Sequence, residues 1–492
     1  MQYLMAIDQG TTSTTVVIID ETLRLCSSAT REYPQVYPQP DWVEHNPDDI
    51  WQSVLEAIGE AVAKARIDAA NIAALGITNQ RETTVVWDRK TGTPVYNAIV
   101  WQCRRTSPFC DRLRKEGLEE TISEKTGLII DPYFSASKIR WILDHKNLQQ
   151  AAVNGELCFG TIDTYLLWQL TGGKAHCTDA SNASRTQLMN LKTREWDEDL
   201  LKIFDVPKIM LPKICNNAGI LGRTWNVPGL PNGIPIAGMA GDQQAALFGQ
   251  ICFEPGEAKC TFGTGSFLLM NTGENIVRSK HGLLSTLAWS LDGKTTYALE
   301  GSTFIAGALV QWLRDGLRII RSAAEVEELA LTVPDAGGVI IVPSFTGLGS
   351  PHWKPNARGL IWGLTRSTTR GHIARAALEG ICQQNTDLLE AMSNDLLSDL
   401  KSLKVDGGAS ADNLLMQLQA DLLCCPLHRP EILQTTALGA AMLAGLGVGL
   451  FADLDELKKS WKIDQIFEPR MSAEDRAISR NRWLKAIEKT EL

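Results

Sequence analysis

The sequence has no apolar run long enough to cross a bilayer, no C-x-x-C pair, no low-complexity tract and no surplus of positive charge. Each absence removes a class of function. Without a long apolar run or a basic, apolar leader, the expectation is a soluble cytoplasmic chain. The formal net charge is -9, the wrong sign for a protein that tracks nucleic acid or docks on anionic lipid. The 11 cysteines are scattered: Cys103 and Cys110 are too far apart for a zinc knuckle, and Cys424 and Cys425 are adjacent. They read as free thiols in a reducing compartment. Two nucleotide signatures are also missing. There is no G-x-x-x-x-G-K-S/T, and no G-x-G-x-x-G follows the first strand.

What is present is a long, ordinary globular composition. The chain has 492 residues, 44% of them hydrophobic and 21% charged, and that length favours two domains. The apolar stretch Tyr3 to Ile7 predicts a strand, Asp8 to Thr14 a polar turn, Thr15 to Ile19 a second strand and Leu23 to Tyr33 a third. Asn46-Pro47 predicts a helix start running to Ala65. Strands are expected from Asn71 to Ile77, Thr83 to Trp87 and Ile234 to Met239, and helices from Arg104 to Gly117 and Ser137 to Asp144. A second strand–turn–strand unit spans Ala258 to Asn271, with Gly263-Thr264-Gly265 at its tip. Helices are expected from Thr303 to Leu317, Arg370 to Met392, Asn413 to Leu423 and Thr436 to Gly449, and a strand from Lys401 to Val405. Strands and helices mixed in this way indicate an α/β class, here in two halves that divide near residue 250.

Three small-residue turns follow apolar strands: Asp8 to Thr14, Gly263 to Gly265, and Asp406 to Ala409. Glycine admits close approach of backbone N–H groups to phosphate, and Ser and Thr add donors. Asp8 suits a magnesium ion, although an Asx-turn closing the hairpin is the plainer local reading. Arg81 and Glu82 could grip adjacent hydroxyls, one donating and one accepting; read locally, a solvated ion pair is the plainer reading. Trp101 could wall an apolar pocket or simply fill a core. Asp242 could act as a general base or as a helix N-cap.

Longer motifs resolve these alternatives by resemblance. Tyr133 to His145, reading Y-F-S-A-S-K-I-R-W-I-L-D-H, and Gly359 to Leu364 with His372-Ile373 and Ala376 to Glu379 resemble the two signatures of the FGGY carbohydrate kinases. G-I-T-N-Q-R-E-T at Gly76 to Thr83, N-A-I-V-W-Q-C-R-R-T at Asn97 to Thr106 and D-P-Y-F-S at Asp131 to Ser135 resemble the branch of that family that phosphorylates glycerol. A-G-D-Q-Q-A-A-L-F-G at Ala240 to Gly249 agrees, and the likeness runs from Asp8 to about Phe467.

The resemblance implies two ribonuclease-H-like, actin-type ATPase domains with the active site in the cleft between them. Residues 1–250 would bind glycerol and carry the first phosphate loop, and residues 251–492 would bind nucleotide. It implies ATP-dependent phosphorylation of glycerol to sn-glycerol 3-phosphate, with Mg2+, and a homo-oligomer, dimer or tetramer, without nucleic-acid or membrane partners. Arg81, Glu82, Tyr133, Asp242 and Gln243 would hydrogen-bond glycerol, Trp101 and Phe267 would wall it, and Asp242 would be the base. Thr11, Thr12, Ser13, Thr264, Gly265, Gly307, Gln311, Gly408 and Asp412 would line the nucleotide site, with Asp8 near the metal. Three positions depart from the family pattern. Thr15 stands where an arginine often follows the first loop, and Asp412 where an asparagine often lies near adenine. Gly233 stands where relatives inhibited by fructose 1,6-bisphosphate carry arginine, which implies insensitivity to that inhibitor. The rival readings are another sugar kinase of the family, for xylulose or gluconate, and a non-catalytic actin-like ATP-binding protein.

Overall fold

A computed structural model describes residues 2–354, 356–397 and 400–490. Two sheets organise it. The first has six strands in the order Ala218–Arg223, Pro235–Gly241, Ile72–Asn79, Tyr3–Gln9, Ser13–Asp20, Leu25–Glu32. The second has seven, in the order Leu284–Leu291, Lys294–Thr303, Ser266–Gly273, Ala258–Phe262, Leu403–Asp406, Leu427–Pro430, Ile463–Phe467. Both are built on the same plan. An antiparallel hairpin opens each sheet, and its first strand pairs in parallel with a later one. The first sheet continues the meander with Leu25–Glu32, whereas in the second Lys294–Thr303 lies beside Ser266–Gly273 and Leu284–Leu291 takes the edge. Each opening strand is buried on both faces, which fits its unbroken apolar sequence.

The helix Pro47–Ala65 lies on the first sheet. Asn46 caps it by accepting from the Asp48 N–H, Pro47 needs no donor there, and Ile50, Val54, Ala57, Ile58 and Ala61 bury at helical spacing. The opposite face takes a helix from far along the chain. Thr435–Gly447 is rich in Ala and Gly and packs on strands Ile72–Asn79 and Pro235–Gly241 and on helix Asp242–Gly249. The approach is close enough to require glycine. A Cβ on Gly76 would lie 2.2 Å from the Ala440 carbonyl oxygen, and one on Gly439 would lie 1.9 Å from that of Ala245. The two halves of the chain are thus interleaved at this helix crossing rather than merely abutted.

Some sequence expectations need correction. The third strand begins at Leu25, because Leu23 occupies a left-handed turn at φ 62°. The helix expected from Arg104 begins at Ser107. The helix expected from Thr303 begins at Gly307, because Thr303 ends a strand. That strand and its partner Leu284–Leu291 form a hairpin the sequence reading did not identify. Among the described residues no helix is long and apolar enough to cross a membrane.

Candidate active site

The first sheet delivers the metal candidate Asp8 and three substrate candidates at the ends of neighbouring parallel strands. Asp8 lies near the end of Tyr3–Gln9 and is strand, not turn, so the Asx-turn reading fails; the reversal is made by Gly10, whose N–H donates to the Ser13 carbonyl at 2.9 Å. Arg81 and Glu82 follow Ile72–Asn79, and Asp242 follows Pro235–Gly241 as the first residue of its helix. The N-cap position there belongs to Gly241. Strand ends at this edge are the place where an open α/β sheet presents ligands.

Arg81 and Glu82 are only 3% and 1% exposed, so the solvated ion pair is also excluded. Arg81 is held on every side. Its Nε reaches Asp242 Oδ1 at 3.1 Å, its Nη2 reaches Glu300 Oε1 at 3.0 Å, and Nη1 also meets Glu300 Oε2. Nη2 lies 3.4 Å from the Tyr133 hydroxyl. Glu82 sits at φ 60°, a backbone conformation that a side-chain-bearing residue adopts only under constraint. The constraint is visible. The Ser135 hydroxyl and the Lys138 ammonium donate to the Glu82 carbonyl, and Lys138 also donates to the Tyr133 carbonyl. Arg185 Nε grips the Glu82 carboxylate at 2.6 Å and its Nη2 meets Glu300 Oε1 at 2.9 Å.

The result is a buried quartet of two arginines and two glutamates with no net charge. Burial works to raise the Glu300 carboxyl, but Arg185 and Arg81 outweigh it and hold the group below the usual carboxylate range. Glu82 is shifted upward, because burial outweighs the pull of its arginines. Burial drives Lys138 down to about 8. Asp8 is pushed up to about 7, first by burial and then by the nearby Asp242 carboxylate. Asp8 and Asp242 lie close enough for the Asp242 carboxylate to disfavour ionisation of Asp8, a repulsion that a divalent ion would relieve. Among the described residues no group of three or more His, Cys, Asp or Glu is arranged to cage a metal. A magnesium ion held by one or two carboxylates and completed by water and phosphate fits that arrangement.

The apolar wall is also assembled. The Trp101 ring meets Tyr133 edge-on at 5.6 Å and Phe267 at 6.3 Å, and Phe267 comes from the second sheet. Trp101 Nε1 donates to the Thr11 hydroxyl at 2.9 Å, joining this wall to the first turn. Thr12 is exposed and Ser13 half-buried beside it. Gln243 is buried and its amide oxygen accepts from Lys259.

On the other side, the tip Gly263–Gly265 packs against the start of the helix Gly307–Asp315. The Gly307 N–H donates to the Gly263 carbonyl at 3.0 Å, and Ala306 and Ala308 both donate to Thr264. A Cβ on Gly265 would lie 2.3 Å from the Thr303 carbonyl oxygen. Gln311 is exposed on the same helix and Gly408 on the turn after Leu403–Asp406. Asp412 caps the helix Asn413–Leu423 by accepting from the Leu415 N–H at 2.8 Å, and burial pushes its carboxyl up to about 6. Thr15 points at Thr30 across the sheet, hydroxyl to hydroxyl at 3.0 Å. Three charged residues at this site escaped the sequence reading: Arg185, Lys259 and Glu300. The last two had a signal, since each is a lone charge inside an apolar strand, A-K-C-T-F and Y-A-L-E-G.

Residues 3–249 match the N-terminal domain, and residues 258–448 the C-terminal domain, of the FGGY family of carbohydrate kinases. Along its whole length the chain is 54% identical to glycerol kinase 2 of Thermotoga maritima, covering 99% of that protein. It is 55% identical over 99% of its length to the glycerol kinase of Caldanaerobacter subterraneus, covering 98% of it. The crystal structure of Plasmodium falciparum glycerol kinase with ADP superposes with a TM-score of 0.93 at 38% identity, covering 100% of this chain and 99% of that one.

Proposed function

The chain belongs to the FGGY family of carbohydrate kinases, and from that premise we propose that it transfers the γ-phosphoryl group of ATP to glycerol, giving sn-glycerol 3-phosphate and ADP. What supports this reading is that Arg81 contacts both Asp242 and the Tyr133 hydroxyl, while the Tyr133 ring meets Trp101 and Trp101 meets Phe267. A three-carbon triol has a polar edge and a thin apolar back, and this site offers donors and acceptors opposite aromatic rings. Residues 1–250 supply most of the substrate side and the first phosphate turn; residues 251–492 supply the nucleotide side and add Phe267 to the substrate wall.

Arg81 Nη2, whose contact with the Tyr133 hydroxyl is long at 3.4 Å, gives up that contact to donate to a glycerol hydroxyl, and Glu82 accepts from a hydroxyl, which fixes the carbon chain. The Asp242 carboxylate takes the proton of the terminal hydroxyl as that oxygen attacks the γ-phosphorus in line with the departing ADP oxygen. Arg81 Nε on Asp242 Oδ1 keeps that carboxylate oriented. Backbone N–H groups of the turns at Thr11 to Ser13 and Thr264-Gly265 cradle phosphate oxygens, with Gly307, Gln311, Gly408 and Asp412 around the rest of the nucleotide. Asp8 is the residue that would hold Mg2+, which when bound neutralises phosphate charge. The free thiols fit a cytoplasmic setting, and a dimer or tetramer remains our expectation for the assembly.

The test is the initial rate of ADP release at fixed MgATP with glycerol, dihydroxyacetone or xylulose. Glycerol should give the highest kcat/KM. A higher value for xylulose, or release indifferent to all three, overturns the reading.

A further inference from the structure

Two charged residues of the second sheet reach into the substrate side built by the first. Lys259, on Ala258–Phe262, is 0% exposed. Its ammonium donates to the Gln243 amide oxygen, to Thr261 Oγ1 at 2.8 Å and to the Phe267 carbonyl at 3.4 Å. Among the described residues no carboxylate lies within ion-pair distance of it. Glu300, on Lys294–Thr303, is also 0% exposed and takes both terminal nitrogens of Arg81 as well as Arg185 Nη2. Charges inside apolar strands are expensive to bury, so each calls for a reason beyond packing.

The chemistry of each contact explains its presence. A lysine ammonium can only donate. It therefore forces Gln243 to turn its amide oxygen toward the second sheet, which leaves the NH2 to donate toward a substrate oxygen. A hydroxyl oxygen that accepts there keeps its own proton available to Asp242. Glu300 works on Arg81 in the same way. By occupying Nη1 and Nη2 with its two oxygens it sets the guanidinium plane and aims Nε at Asp242.

We propose that Lys259 and Glu300 are positioning residues, which fix the polarity of Gln243 and the plane of Arg81 from the second sheet. The diol pocket is then correctly set only while the two sheets hold the arrangement described above. Glycerol affinity becomes a readout of how the halves are docked, through Gln243 and Arg81. The inference rests on the glycerol reading of Arg81 and Gln243.

The experiment compares Lys259→Gln and Glu300→Gln with the parent protein by full kinetics in both substrates and by thermal melting. The glycerol KM should rise about tenfold or more in each, the cost of a lost charged hydrogen bond, while the MgATP KM stays within about twofold. The double variant Arg185→Gln/Glu300→Gln removes one charge of each sign. It should recover melting temperature relative to Glu300→Gln without recovering glycerol KM. If Glu300→Gln does not fold, Lys259→Gln decides by the same two KM values, and Lys259→Met replaces it should that fail as well. Unchanged glycerol KM in a folded variant, or equal rises in both KM values, overturns the proposal. Absence of glycerol turnover in the parent protein instead overturns the function proposed above and leaves the two outcomes distinct.

Discussion

The two sides of this site are made of different materials. The substrate side is a buried lattice of full charges, Arg81, Glu82, Arg185 and Glu300, each matched by an oppositely charged neighbour. The side proposed for the nucleotide is largely glycine and short polar residues at turn tips: Thr12, Thr264 and Gly408 are exposed, and a Cβ on Gly265 or Gly307 would meet backbone. The contrast follows from what each ligand offers. Glycerol is small and neutral, so selectivity against water and larger polyols needs fixed donors and acceptors whose loss leaves a buried group unpaired. A triphosphate brings its own charge and many acceptors, so it can be held by backbone N–H groups that need only room to approach. Rigidity is concentrated where the ligand is featureless.

The comparison breaks most sharply at Asp242, which belongs to the charged side and is proposed to take the proton of the hydroxyl that attacks the phosphoryl group. Asp242→Asn keeps the shape and a hydrogen bond to Arg81 but cannot take a proton. It should lower kcat by about a thousandfold, within the span observed for lost general bases, with glycerol KM changed only a few-fold. Initial rates over a glycerol titration test this. Near-full turnover would remove Asp242 from the mechanism.

A backbone-built side should be vulnerable to a single methyl group. Gly265→Ala places a Cβ about where the Thr303 carbonyl now sits, at 2.3 Å, so the turn must shift. We expect about a tenfold rise in MgATP KM with little change in the glycerol KM, the cost of modest overpacking. The reverse pattern in the two KM values would show that the turn serves glycerol instead.

The same contrast explains what could be read from the sequence. Opening strands, the helix Pro47–Ala65 and the helix Asn413–Leu423 announce themselves by apolar runs, caps and periodicity. The hairpin of Leu284–Leu291 and Lys294–Thr303 was missed although Asp292-Gly293, both at positive φ, is a strong two-residue turn signal, because the flanking strands are buried without alternation. Arg185 was not legible. It lies after a short helix in S-R-T-Q, and only the tertiary fold brings it to Glu82, 103 positions earlier. The packing of Thr435–Gly447 on the first sheet is equally non-local: small residues foretell close contact but not its partner.

Asp412 sharpens the comparison with a smaller effect, since it stands on the nucleotide side yet carries a half-buried charge. Its folded pKa of about 6 lies above the ordinary 3.8. A carboxyl raised in this way adds stability below pH 3.8 that is lost as pH climbs through 6, because the folded form binds more protons than the unfolded form in between. Asp412→Asn removes the titration and keeps an N-cap acceptor. The melting temperature should therefore exceed that of the parent at pH 8 by more than at pH 5, with MgATP KM within about twofold. That kinetic figure assumes that no more than one hydrogen bond to nucleotide changes. An equal offset at both pH values would place the cost elsewhere.

The smallest expected effect lies outside both sides of the site, at Gly233. It borders a surface cavity of about 550 Å3 lined also by Lys174, Arg223 and Trp225. A bisphosphate needs several free cationic donors at once. Gly233 brings none, Arg223 Nη1 already donates to the Gly233 carbonyl at 2.8 Å, and the Lys174 ammonium sits 3.1 Å above the Trp225 ring. Millimolar fructose 1,6-bisphosphate should leave the glycerol-dependent rate unchanged. If it inhibits, Gly233→Arg separates the explanations. Deeper inhibition in the variant would mean that Lys174 and Arg223 can leave their present contacts to bind the sugar phosphate, whereas unaltered inhibition would place the inhibitor away from this cavity.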